Sequence, residues 1–265
     1  MIRVEMVKQF VRLRTLLTLG VMVAMPTLMT LVLELRRPEH ERDNDLFALA
    51  THSGLNMPLA ALSLMTNFLL PAALALYAGS TIAEEASWGS LRYLLLRPVS
   101  RSKVLASKLA VVAILSLTAA VLISAAGLIE GVIAFGWKPV LTPSFTSIAP
   151  GTAFARLVIA TLYVAWSMSG IVALGFMLST MTDATMGAVA GAVGAAIFSE
   201  ILVAISPLGS IRTILPTYHW HAWEGLFASP VHTAAMFNGV LLQVPYVLVF
   251  LCAGWWWFHR KDILC

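Results

Sequence analysis

Charge is scarce in this chain. Only 11% of its 265 residues are Asp, Glu, Lys or Arg, where an ordinary soluble domain carries about a quarter. With 59% apolar residues and a mean hydropathy of +0.86, an ordinary water-soluble domain is excluded. A polytopic membrane protein is expected, with one domain over 1–265. Cysteine is nearly absent too. Cys252 and Cys265 are expected within or inside the membrane, so no disulfide framework is implied. The net charge of +4 does not indicate nucleic acid. The basic residues lie beside the apolar runs, where they set orientation and meet lipid headgroups.

Catalytic patterns are missing as well. ATP hydrolysis needs a phosphate-cradling loop of the form G-x-x-x-x-G-K-[ST]. Lysine occurs at 8, 103, 108, 138 and 261, never in that setting. Any ATP that drives this protein therefore binds another chain. No His-Glu-x-x-His occurs. Glu84-Glu85 opens the Glu-Glu-x-x-x-Arg pattern of membrane prenyl-proteases, but Gly89 stands where the arginine belongs. Serines 63, 116, 124, 167, 169 and 199 lie in apolar segments with no mid-span histidine to activate them. His219 and His221, with Glu224 nearby, make a thin metal set.

What is present is a series of six apolar runs: 16–33, 57–83, 109–135, 157–180, 185–205 and 239–257. Pro58 and Pro71 predict a tilted or broken second span. Residues 181–184 leave room only for a tight turn, so spans four and five form a hairpin. Gly187, Gly191 and Gly194 put small residues on span five, for packing within the subunit or at an interface. Ahead of span one, Ile2, Met6, Phe10, Leu13 and Leu17 share a stripe, with Lys8 and Arg12 on the other side. Residues 1–14 therefore read as an amphipathic helix lying on the inner leaflet. Residues 36–45 read as a solvated, charge-balanced outer loop. Residues 207–238 read as two short helices dipping into the outer interface, with Trp220 and Trp223 at headgroup depth. With both termini inside, eleven Lys and Arg fall on inner segments and six on outer ones, which favours that orientation.

The most charged stretch between two apolar runs is 84–108. Leu91, Tyr93, Leu94 and Leu95 make a short apolar face, and Pro98 stops that helix by restricting Arg97. Ser100 or Ser102 can cap a second helix. Glu85, Gly89-Ser90-Leu91, Leu94-Leu95, Pro98-Val99-Ser100-Arg101 and Lys108 together resemble the cytoplasmic loop of ABC-2 type permeases, the membrane subunits of bacterial ATP-binding-cassette exporters. The six-span layout resembles that family more loosely. The resemblance implies an all-α fold with six transmembrane helices, the interfacial helix, a cytoplasmic coupling helix between spans two and three, and re-entrant outer helices between spans five and six. It implies that Glu85, Gly89, Arg92, Arg97, Pro98, Ser100, Arg101 and Lys103 couple to an ATPase subunit, and that Pro216, Tyr218 and His219 form the re-entrant turn. ATP and magnesium would bind that partner, this chain holding no cofactor or metal and catalysing nothing. Two ATPase copies and a second permease chain, same or related, would complete the complex in the bacterial inner membrane.

Two acids, Glu130 and Glu200, fall inside apolar runs, where an ionised carboxylate needs a partner, a proton or water. They are candidates for an outer substrate vestibule, or for pairing with Lys138 or Arg212. Two alternatives to an exporter stay open: an ABC membrane subunit serving metal or sulfur cofactor assembly, and an intramembrane hydrolase.

Overall fold

The computed structural model describes residues 2–35, 49–89, 100–142 and 146–261. Arg92, Arg97, Pro98 and the apolar face 91–95 lie outside the described residues. So do the outer loop 36–45 and Cys265.

The described chain is helical apart from a two-stranded hairpin, β1 (Val140–Leu141) against β2 (Ser147–Ile148). The helices are α1 (Ile2–Phe10), α2 (Leu13–Leu35), α3 (Asn56–Asn67), α4 (Leu69–Ser80), α5 (Ala83–Ser87), α6 (Arg101–Phe135), α7 (Pro150–Ser167), α8 (Ser169–Met181), α9 (Thr185–Ala204) and α10 (Ala234–Arg260). Five stretches are long and apolar enough to cross a membrane: α2, α6, α7 with α8, α9 and α10. The bent pair α3–α4 makes a sixth if it is one span. This is a multi-pass membrane protein.

The bend of 56° between α3 and α4 falls at Phe68. Pro71 is the third residue of α4, where a missing N–H costs nothing. It cannot donate back to Asn67, so the helix restarts instead of continuing. Pro58 sits likewise in the first turn of α3 and merely begins it. Beside this broken pair, α3 lies against α6. A β-carbon on Gly127 would come within 2.9 Å of the Pro58 backbone, and one on Gly131 within 2.7 Å of Met57. Two glycines one turn apart thus seat α3 directly on the α6 backbone.

Helix α6 begins where Ser100, in extended conformation, accepts from the Lys103 amide at 3.4 Å. It then runs unbroken for 35 residues. At about 1.5 Å per residue it is roughly 50 Å long, against about 30 Å of hydrocarbon. It therefore projects beyond a bilayer. Helix α8 is the hub of the other half, packed against α4, α9 and α10. Residues 182–184 make the turn into α9, as the sequence requires.

On two helices the residues singled out for packing lie largely off the packed face. On α9 the packed stripe is Ala188, Ala192, Ala196 and Ser199. Gly194 faces open space, Gly187 meets only Ala184 in the preceding turn, and of the three glycines Gly191 alone touches another helix, at Leu178. Alanine is small enough for the contact within the subunit, and Gly187 and Gly194 stay off that face. On α1 the buried residues are Glu5 and Gln9, and of the predicted stripe Ile2 and, at the start of α2, Leu13 and Leu17 are exposed. Met6 and Phe10 are half-buried against the core.

Candidate functional site

The start of α6, α1, α5, the α8–α9 turn and the end of α10 meet at one end of the bundle, here the basal end. Its centre is Lys108. The side chain is 1% exposed, and its ammonium lies 2.8 Å from Glu85 and 3.1 Å from Glu5. It also donates to the Thr81 carbonyl at 3.2 Å. Lys8 donates to the same Glu85 oxygen and Arg12 to Glu84, while Arg14 stands 2.5 Å from Glu84. Gln9 donates to Glu5 at 3.2 Å. Burial alone would raise the Glu85 pKa. The Lys108 and Lys8 ammoniums outweigh it and hold the carboxyl below the usual carboxylate range. The root of the 84–108 stretch is thus tied ionically to the N-terminal helix.

The other predicted coupling residues have separate surroundings. Gly89 follows the short α5 with a φ of +66°, which favours glycine. Ser100 is the helix cap. Arg101 donates from one guanidinium nitrogen to the carbonyls of Phe258 and His259 at 3.1 Å and of Lys261 at 3.2 Å. It closes the C-terminus of α10, whose last carbonyls have no helical partner. Lys261 reaches Asp183 in the α8–α9 turn at 2.6 Å. Lys103 is exposed at this end.

At the distal end lie the 3-10 segments Ser206–Ile214, kinked at Gly209 with a φ of +55°, and Ala222–Phe227, where two short helices were expected. They are stitched to the bundle through main-chain carbonyls. Gln243 donates to Pro216 at 2.7 Å, Tyr163 to His219 at 2.7 Å and Tyr246 to Ile214 at 2.8 Å. Trp220 donates to Ser167 at 3.0 Å. Trp220 and Trp223 are therefore buried within protein, at 0% and 1% exposure, not presented to headgroups as expected. Tyr218 stands edge-on to His219 at 4.9 Å. Burial lowers the His219 pKa.

Neither membrane acid takes the basic partner expected. Glu130 accepts from Thr27 of α2, not from Lys138. Its second oxygen is buried without a hydrogen-bond partner among the described residues. Glu200 accepts from Thr217 and feels His221, while Arg212 bonds the Gly209 and Val203 carbonyls. Next to Glu200, His221 contacts Asn67 at 2.9 Å and Glu224 at 3.4 Å, and Ser63 donates to Glu224 at 3.1 Å. A polar cluster thus surrounds the α3–α4 bend. In a serine nucleophile the imidazole would contact the hydroxyl. Here the carboxylate stands between them.

A family model described as a protein of unknown function, DUF2705, matches residues 46–264. The chain belongs to this family. No curated protein matches it. In this DUF2705 protein the matched region holds Glu84, Glu85 and Lys108, whereas Glu5, Lys8, Arg12 and Arg14 precede it. Sequence reasoning passed over Glu5. Its signal was an acid set among Val4, Met6 and Val7, one turn before Gln9 on the same helix face.

Proposed function

We propose that this chain is the permease subunit of an ATP-driven exporter, which forms the substrate path and takes work from a separate ATPase. The observation that carries the reading is the Glu85-to-Lys108 pattern, whose two end residues form the buried ion pair at the loop root. A loop meant to transmit force needs such a root. The proposed arrangement has six spans, with α3–α4 as the second, and the basal end in the cytoplasm of a bacterium. The α1 helix lies at the inner leaflet, and the two 3-10 segments are the re-entrant outer pair. Two such chains, alike or related, would stand on two ATPase subunits.

ATP closure of the ATPase dimer would press on 89–103. Arg92, Arg97 and Lys103 would meet acidic or polar groups there. Pro98 would stiffen the corner, while Ser100 and Arg101 fix the start of α6. The push would travel along α6 and the bent pair towards the distal end. Glu130 and Glu200 would line the exit, since each holds a carboxylate with a threonine hydroxyl and, among the described residues, no lysine or arginine partner. Affinity purification of the full chain from its native membrane tests the reading. A Walker-motif ATPase should co-purify in equal amount, and transport in vesicles should require its ATP turnover. A chain that moves cargo with no ATPase present would overturn it, as would 89–103 found on the outer face by cysteine labelling.

A further inference from the structure

We infer that Lys108 is a positioning residue for coupling, and that through it α1 moves with the root of the 84–108 stretch as one transmission element. The inference rests on reading that stretch as the ATPase contact.

The ammonium of Lys108 has three hydrogens and three acceptors from separate segments: Glu5 of α1, Glu85 of α5 and the carbonyl of Thr81 at the end of the broken span. It stands two turns into α6, a helix continuous with a membrane span. Three elements therefore pivot on one buried charge. Met6 and Phe10 of α1 are half-buried against the core, and polar contacts make the rest of its attachment. Its buried face is Glu5 and Gln9, and Ile2, Val4 and Val7 stay exposed. A buried polar face is stable only with its partners in place. Lys8, Arg12 and Arg14 then clasp Glu84 and Glu85 from the α1 side. Any displacement of α5 must carry α1 along or separate buried ion pairs, and separation leaves uncompensated charge. Carrying α1 is the easier course.

The test places spin labels at the exposed positions Val7 and Ser87, with Cys252 and Cys265 changed to Ser, in lipid nanodiscs. The parent should give one narrow distance distribution. Lys108→Met should add a broad second population. Glu5→Gln, which leaves the Lys108–Glu85 pair intact and the fold secure, should do so in part. Lys108→Arg should restore the single population. With the ATPase bound, Glu5→Gln should lower transport per ATP by about threefold or more at unchanged assembly. Unchanged distances in both variants would overturn the latch. Widened distances with undiminished transport per ATP would overturn the coupling role and leave the latch standing. If no ATPase binds the parent chain, the exporter reading and the coupling role both fall, and the distances still decide the latch.

Discussion

Replacing Arg101 with Ala should loosen the end of α10 before it disturbs anything else. One guanidinium nitrogen lies 3.1–3.2 Å from three carbonyls there, but it has two hydrogens, so two good bonds are the limit. A hydrogen bond from a charged group contributes about 1.5–3 kcal/mol when well shielded. Arg101 is half-exposed, and the partly exposed Lys261–Asp183 pair still holds the helix end with about 0–1 kcal/mol. The net loss is about 1–3 kcal/mol, or roughly 5- to 150-fold in a local opening equilibrium. Hydrogen exchange over 255–261 should accelerate by that factor while α6 stays protected. Arg101→Lys keeps the charge but loses the planar fork, so it should recover only part of the protection. Unchanged exchange in Arg101→Ala, with ATPase binding lost, would refute the capping role and make Arg101 purely a partner contact.

The distal stitching predicts graded losses. Trp220→Phe should cost about 1 kcal/mol, the bond to Ser167, and Trp220→Ala about 3–5 kcal/mol through the cavity it leaves; thermal unfolding in detergent reads both. His219 has its pKa lowered from 6.5 by burial. Its contribution is therefore complete above about pH 6.5 and falls away as pH drops towards the folded value; His219→Gln should flatten that part of the stability profile. For Glu85 the lowered pKa gives the same sign in a lower window. Docking of α1 should hold above the ordinary value of 4.5 and weaken on further acidification, as the Val7–Ser87 distance would show. Glu130→Gln should leave stability within about 0.5 kcal/mol, because Thr27 can donate to the amide oxygen; a slower export rate at that stability would mark Glu130 as part of the path.

The apolar runs, the hairpin at 181–184, the Ser100 cap and the break near Pro71 were legible because each is a local matter of length, period or a missing donor. The basal cluster was not. Its key pair spans 103 residues, from Glu5 to Lys108, and no periodicity connects them. An amphipathic stripe is read on the premise that polar residues face water. That premise fails for α1, where the ionic partners lie on the protein side and the bilayer is available to the apolar side. The Trp220 and Trp223 reading failed for a related reason. An indole beside a membrane suits headgroups in general, but here the Ser167 carbonyl satisfies the Trp220 N–H inside the protein. A more telling cue lies in the scarcity of charge. When only thirteen acids occur in 265 residues, two adjacent ones at the end of an apolar run invite a search for their counter-charges. Two basic groups can serve them: Arg92, Arg97, Arg101, Lys103 and Lys108 in the same stretch, and Arg3, Lys8, Arg12 and Arg14 in the first fourteen residues. Charge scarcity thus narrows the partners of Glu84 and Glu85 to these two groups, and the fold draws on both, Lys108 from one and Lys8, Arg12 and Arg14 from the other.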